Sequence, residues 1–399
     1  MINHQRFNRI EKNNRLISIC IAVLFLLLFF NVFALTSIQP FIELARTADN
    51  ITLYFTFFVF TYLLFYNNFY LEQEYFNIYI GFSLISIIYI GGHIYNRNFE
   101  ENSLLTTILL TFIYIIAMMK IRWTNNHILL FGYIANLIVI LFYLHWGYLG
   151  FLDNRFMSVF NNSNVFGMFL FSLLYFQIVN IRIAPSWAKI YFAIGVALSL
   201  ILIYVSTTRT VMLALGIIVI SWLIIKFSKK FFATLLYWVI GGNFAILLLY
   251  VYVAKSKYAP LIDQWVREHT NKRFFSGREN IWGDVINFGL EAPFLGHKVG
   301  ISINEYMDSP YNHTHNQYLQ IFVESGFLGL ASFLLILFFI WKYYMNHLDL
   351  HLVQWSACFF LGILVFENFE LSLFITHPSI GFIQWFIIAI GVSKSINQT

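Results

Sequence analysis

Apolar runs of close to twenty residues recur from one end of this chain to the other. That is the length an α-helix needs to cross about 30 Å of hydrocarbon. Their approximate limits are 17–36, 51–70, 77–95, 103–119, 126–146, 164–181, 187–206, 209–225, 231–253, 315–341, 350–368 and 373–393. A backbone facing lipid must satisfy its hydrogen bonds internally, which leaves helices or a closed barrel. These runs do not alternate apolar and polar residues, so helices are expected. The fold class is therefore all-α, a polytopic membrane protein of about twelve spans. With 59% hydrophobic and 11% charged residues, the chain has too little wettable surface for a soluble protein of 399 residues. No polar stretch is long enough for a separate soluble domain, so residues 1–399 read as a single integral membrane domain.

Charge sets the expected orientation. With the N-terminus inside, thirteen lysines and arginines fall in inner segments. The short outer loops then hold four, Arg46, Arg97, Arg155 and Arg209. Cytoplasmic loops carry the excess of Lys and Arg, so both termini are placed in the cytoplasm. The net charge of +5 reports this bias and does not point to nucleic acid. The basic N-terminus runs into a full-length apolar segment with no small-residue cleavage site, which reads as an uncleaved first helix. Cys20 and Cys358 lie in apolar spans without metal or redox spacing.

Residues 254–314 form the longest polar stretch and fall on the outer side. Loops of this length without structure are uncommon unless functional. Ser276-Gly-Arg-Glu279 reads as a capping box, with Ser276 as N-cap. Ile281, Trp282, Val285 and Ile286 then share one helical face, and Pro293 and Gly296 end the run. A short amphipathic helix on or near the outer membrane surface is expected. Arg278, in its first turn, either adds a charged donor to an anion-favouring helix start or anchors to lipid headgroups. His313-Thr-His-Asn-Gln-Tyr318 follows at the return to the membrane. His315 there can serve as a base. The segment also reads as a polar cap on the next helix, and His313 with His315 gives a weak metal signal, without further ligands nearby.

Two more polar points interrupt the apolar pattern. Ser206-Thr-Thr-Arg209-Thr separates two spans on the outer side. An arginine there either snorkels to the interface or faces an anion, for which a guanidinium's two-pronged geometry is suited. The segment from Asp153 to Asn164, with Arg155, suits either sugar hydroxyls or an ordinary turn and N-cap. Arg155, Arg209, Arg278 and His315 all belong to one membrane face under the charge-derived topology. Cationic donors grouped with a titratable base suit a diphosphate-bearing lipid substrate.

The pieces "STTRT" at 206–210, "SGRENIWGDVINFGLEAPFLGHKVG" at 276–300 and "HNQYLQIFVESGFLGLASF" at 315–333 together resemble the O-antigen ligase and Wzy-type polysaccharide polymerase superfamily. The order and the long outer loop match. The segment "NRFMSVFNNSNVFGMFL" at 154–170 resembles the family's upstream arginine- and asparagine-containing stretch, without the proline often seen there. The resemblance implies a GT-C-like glycosyltransferase in a bacterial plasma membrane, with its site facing the periplasm or cell exterior. It would take undecaprenyl-diphosphate-linked oligosaccharide as donor. Arg209 and Arg278 would hold the diphosphate and His315 would act as base, with Glu324 supporting it. Arg155, Asn164, Trp282, Asn316 and Tyr318 are the further candidate substrate-binding residues. The family is thought to work without metal, and no cofactor is expected because the lipid diphosphate is already activated. Direct displacement would invert the anomeric centre. Membrane lipids and a polysaccharide chain-length regulator are the remaining expected partners.

The acceptor separates a polymerase from a ligase, and these motifs do not report it; a polymerase of surface polysaccharide, O-antigen or capsule, is favoured over an O-antigen ligase. A flippase for lipid-linked oligosaccharide is the non-enzymatic alternative. Transporters of this size often carry polar midplane residues in both halves. Here the unusual polar residues cluster at one face, after residue 150.

Overall fold

The computed structural model describes residues 20, 23–24, 26–66, 73–97, 102–121, 123–151, 155–270, 273–275, 277–305, 313–374 and 378–393. Among them the chain is helical throughout, with one isolated β-bridge between Thr36 and Phe160. The apolar helices are α1 (Leu26–Leu35), α2 (Gln39–Tyr66), α3 (Phe76–Tyr95), α4 (Asn102–Lys120), α5 (Asn125–Tyr148), α6 (Ser163–Ile183), α7 (Ser186–Ser206), α8 (Arg209–Phe227) and α9 (Lys229–Ala254). Two helices of the long loop follow, α10 (Ala259–Thr270) and α11 (Arg278–Glu291). Then come α12 (Gln317–Asn346), α13 (His351–Phe366) and α14 (Pro378–Val392). Nine helices among the described residues are long and apolar enough to cross a membrane, and α1, α13 and α14 are shorter apolar helices.

The helix α2 starts at Gln39, within what the sequence pattern marks as outer loop. Its first half carries Glu43, Arg46, Thr47 and Asp49, which mask the helix in a hydropathy reading. The helical signal lies in the spacing of Ala45, Ala48 and Thr52, all buried. Pro40 sits in the first turn, where its missing N–H costs nothing.

The centre of the molecule is α6, buried along most of its length between α5, α7, α13 and α14. Lipid offers no hydrophobic drive between helices, so packing and internal hydrogen bonds must hold them. A buried amide chain does so here. Gln177 Nε2 donates to Asn136 Oδ1 (3.0 Å), Ser199 Oγ donates to Gln177 Oε1 (2.8 Å), and Asn136 Nδ2 donates to the Tyr191 carbonyl (2.9 Å). Gly195 makes the room, since a Cβ there would overlap the Asn136 amide.

The helix expected to lie on the membrane surface, α11, instead buries Ile281, Trp282 and Val285 against α9 and α12. The face was read correctly; protein covers it, not lipid. Its N-cap is Gly277, in the left-handed region at φ 91°, and the Gly277 N–H donates to the Glu279 carboxylate (3.0 and 3.1 Å). The cap therefore falls one residue later than the capping-box reading, which takes Ser276 as N-cap; Glu279, at the second helical position, accepts the N–H of Gly277 itself, and Ser276 lies outside the described residues.

The loop after α11 locks onto a break in α12. Gly326 has φ 65° and ψ −167°, which interrupts the helix. The Phe327 N–H donates to the Pro293 carbonyl (2.7 Å) and the His297 N–H to the Val323 carbonyl (2.9 Å). Gly296, at φ 71°, faces the Glu324–Ser325 backbone, and Gly326 faces the Phe294 backbone, each too closely for a Cβ. Pro293–Gly296 and Glu324–Gly326 are therefore two halves of one interlock.

Candidate active site

Helix starts converge at one end of the bundle. Thr207, at φ 55°, ends α7, and Arg209 opens α8 directly after it. Thr208 Oγ1 donates to the Ser163 carbonyl (3.0 Å), which pins the start of α8 to the start of α6. Gly167 permits this approach, because a Cβ there would meet Thr208 Oγ1 at 2.7 Å. Arg278 opens α11, and Asn316 caps α12 by accepting the Leu319 N–H (3.0 Å). Aligned dipoles make each of these ends favourable for negative charge, though at α12 the Gln317 and Leu319 N–H groups are already bonded, to the Glu367 carbonyl and to Asn316.

Three of the expected site residues meet on one carboxylate that sequence reasoning did not single out, Glu370. Arg278 Nη2 donates to Glu370 Oε1 at 3.0 Å, and Asn164 Nδ2 donates to the same oxygen at 3.2 Å. His315 Nδ1 stands 3.9 Å from Glu370 Oε2, an ion-pair distance and not a hydrogen bond. The side chains are graded in depth: Glu370 is 8% exposed, Arg278 19% and His315 33%. The acid lies beneath and its two basic partners face outward. Burial pushes the Glu370 carboxyl up, but contact with His315 and the charge of Arg278 more than offset it and hold the group below its ordinary value. The pKa of the His313 imidazole is lowered as well, by burial and then by the charge of His315, which favours its neutral form.

His315 has φ 50°, a left-handed conformation uncommon for a residue with a Cβ. Such strain persists only where the surroundings over-determine it, and here they do. Trp282 Nε1 donates to the Thr314 carbonyl (2.9 Å), tying the His315 loop to α11. Asn316 Nδ2 donates to Asn368 Oδ1 (2.8 Å) and to the Asn368 carbonyl (3.0 Å). The Gln317 N–H donates to the Glu367 carbonyl (2.9 Å). The histidine loop is thereby fastened to the turn after α13 that carries Glu370.

The remaining expected site residues sit differently. Arg209 is exposed and donates through Nη1 to the Arg273 carbonyl (3.3 Å). It lies one residue from Thr208, and so beside the α6 start that presents Asn164. Arg155 is exposed at φ 47° in the loop before α6 and shares no partner with Glu370. Trp282, Asn316 and Tyr318 are buried, with polar groups bonded to protein; Tyr318 donates to the Leu364 carbonyl (2.9 Å) and accepts from Asn243 (3.1 Å). Glu324 accepts from Gln320 (2.8 Å), the Gly300 N–H (3.2 Å) and Tyr89 (3.2 Å). Those partners come from α12, the loop after α11 and α3, and the acid beside His315 is Glu370. A signal for Glu370 existed: Glu367-Asn-Phe-Glu370 places two acids in a short turn between apolar runs, where ionisable groups are rare and functional.

An apolar cavity of about 170 Å³ lies between α9, α11 and α12. Phe244, Leu247, Ile286, Phe322 and Leu330 line it, together with Asn316 of the histidine loop and Asn368 of the turn after α13. The site thus offers basic groups and helix starts above and apolar wall beneath. That combination suits an amphiphile with an anionic head. Among the described residues no group of three His, Cys, Asp or Glu side chains stands at metal-binding distance.

Residues 194–334 match the Wzy_C family model, described as O-antigen ligase. The matched stretch contains Arg209, Arg278 and His315 and the whole loop between α9 and α12. It supports membership of the O-antigen ligase and Wzy superfamily, as the motifs implied. No curated protein matches the chain.

Proposed function

We propose that this chain is a glycosyltransferase of the outer membrane face that moves a glycan from a lipid-diphosphate donor to a sugar hydroxyl. The observation that carries the reading is the Glu370 cluster, in which one carboxylate holds Arg278 and stands beside His315. The family match makes a ligase- or polymerase-like glycosyl transfer the expected chemistry.

In the proposed reaction Arg278 and Arg209 take the diphosphate, with the starts of α8 and α11 adding backbone dipoles. Arg278 leaves or shares Glu370 when the anion arrives. Glu370 orients the His315 imidazole through Nδ1, which leaves Nε2 for the acceptor. The acceptor hydroxyl oxygen attacks the anomeric carbon, its proton passes to His315, and the carbon–oxygen bond to the diphosphate breaks. The leaving group departs with the electron pair, and the anomeric centre inverts. The guanidiniums supply the counter-charge, so the scheme requires no metal. Preorganised donors of this kind are worth most in a site shielded from water. Trp282, Asn316 and Tyr318 position the histidine loop in this scheme, and the apolar cavity takes the first units of the donor's hydrocarbon chain.

The fuller assignment is a polymerase that joins undecaprenyl-diphosphate-linked repeat units into a surface polysaccharide, in a single membrane domain of about twelve spans with cytoplasmic termini. Transfer to a lipid A core or another acceptor is the second reading, favoured by the description of the matching family. Complementation of a host lacking this gene separates them. A polymerase restores long chains where single-repeat products accumulate; a ligase moves long chains onto a new acceptor. Long chains made undiminished by Arg209→Ala, Arg278→Ala and His315→Ala alike would remove the proposal.

A further inference from the structure

Among the described helices α10 is the most amphipathic, and it packs little against the bundle. Tyr258, Leu261 and Trp265 are 56, 63 and 61% exposed. Their spacing of three and four places them on one face. Asp263 and Arg267 lie on the other side, and Gln264 and Glu268, hydrogen-bonded to each other at 2.8 Å, border the face next to Leu261. His269 joins the apolar face by stacking on Trp265, with ring centroids 4.5 Å apart.

A cluster of apolar side chains cannot stay in water without cost, and the neighbouring surface indicates what covers it. The helix follows α9 after only four residues, and the end of α9 exposes Leu248, Leu249 and Tyr252 on the surface it turns to lipid. Lys257 lies in the turn between the two helices with its Nζ 5.2 Å from the Tyr258 ring centroid, while the Lys255 ammonium reaches over Gly283 of α11. Basic residues beside Trp and Tyr are the composition of a helix lying at a bilayer surface.

The polar side of α10 is tied to the rest of the loop. Asp263 Oδ1 accepts the Phe274 N–H at 2.7 Å, and Asp263 Oδ2 pairs with Arg267 at 2.8 Å. Tyr250 on α9 donates to the Phe274 carbonyl at 3.2 Å. The adjacent Arg273 carbonyl accepts from Arg209. A continuous set of contacts therefore runs from α10 through residues 273–275 to Arg209.

We infer that α10 is seated on the outer leaflet with Tyr258, Leu261 and Trp265 among the acyl chains, and that this seating holds residues 273–275 against Arg209. The lipid surface is then part of what positions the guanidinium. Only the meaning of that last step rests on the proposed reaction; the seating does not.

The test uses the full chain in vesicles of phosphatidylethanolamine and phosphatidylglycerol. In a Cys20→Ser, Cys358→Ala background, a nitrobenzoxadiazole probe is attached at Trp265→Cys or at Gln264→Cys. Lipids carrying doxyl groups on their acyl chains should quench the probe at 265 several-fold more than at 264. Equal quenching at the two positions, or a probe at 265 that is shielded from lipid by a second copy of the chain, overturns the seating. Hydrogen exchange on the chain with its native cysteines reads the coupling. In Leu261→Glu/Trp265→Glu the Phe274 amide should exchange faster, by about tenfold for an opening of this kind, while the Leu319 amide in the α12 cap stays as it was. An unchanged Phe274 overturns the coupling, and acceleration at both amides overturns it as general loosening. Neither readout depends on glycosyl transfer, so a failure of the proposed reaction is distinguishable from a failure of this inference.

Discussion

At the scale of single residues, Glu370 decides what the basic groups can do. It is the acid that Arg278, Asn164 and His315 share. Glu370→Gln keeps the shape and removes the charge, so Arg278 should remain in place while the imidazole loses its orienting carboxylate. Loss of an orienting acid beside a catalytic histidine costs roughly 10²–10⁴ in rate, and initial rates of glycan transfer from purified donor read it. Arg278→Ala should lower the same rate by about 10²-fold or more, as the loss of one preorganised donor does. A rate within twofold of wild type in either variant would remove that residue from the reaction. The pH dependence has a defined sign. The folded-state pKa of Glu370 is held below its unfolded value of about 4.3. Its contribution to stability is therefore complete above that value and is lost as pH falls through the lower folded value. Thermal melts of wild type should drop more steeply than those of Glu370→Gln once the pH passes below about 4.

At the scale of elements, glycines mark where two backbones touch. Gly326 breaks α12 at φ 65° and lies against the Phe294 backbone. Gly326→Ala adds a Cβ both to a left-handed residue and to a filled space. It should cost about 1–3 kcal/mol for the conformation alone, with the overlap adding to it, and should lower the melting temperature in detergent. Gly195→Ala should also destabilise by displacing Asn136 from the α5–α6–α7 amide chain. Gly241→Ala in α9 is the control: nothing lies within 4 Å of its added Cβ, and it should be neutral or stabilising by about 0.5–1 kcal/mol. Equal melting temperatures for all three variants would show that close approach, of backbone at Gly326 and of the Asn136 amide at Gly195, is not what these positions require.

At the scale of the whole molecule, the prediction concerns sidedness. The starts of α6, α8, α11 and α12 gather with Glu370 at one end of the bundle, and the topology proposed from the positive-inside bias has that end outside the cytoplasm. Reporter enzymes active only on one side should place residues 254–314 outside and both termini inside. A cytoplasmic signal from that loop would leave the site unable to reach an outer-face donor. In the proposed reaction the gathered helix starts act together with the arginines. Each end contributes partial positive charge, and Arg209 and Arg278 add full charges at two of them, so an anionic head group meets a field already assembled.

Much of this was legible in order along the chain. Helix type, most helix positions and the polar breaks at Arg209, Arg278 and His315 follow from hydropathy, spacing and capping residues, because these are properties of a local window. The early start of α2 was hidden because Glu43, Arg46 and Asp49 dilute the average that hydropathy reports. The cover on α11 was misassigned because an apolar helical face says that something must bury it, not whether lipid or protein does. Glu370 and Glu324 exchanged importance for the same reason. Both acids stand near glycine or asparagine turns in the sequence, and only packing sends one to the α12 interlock and the other to Arg278 and His315. Which residue types are present, and on which local faces they lie, is written in the order of the chain. The tertiary structure alone decided which of them meet, because contacts between Asn164, Arg278, His315 and Glu370 span as many as 206 positions and depend on how helices with similar apolar surfaces choose their neighbours.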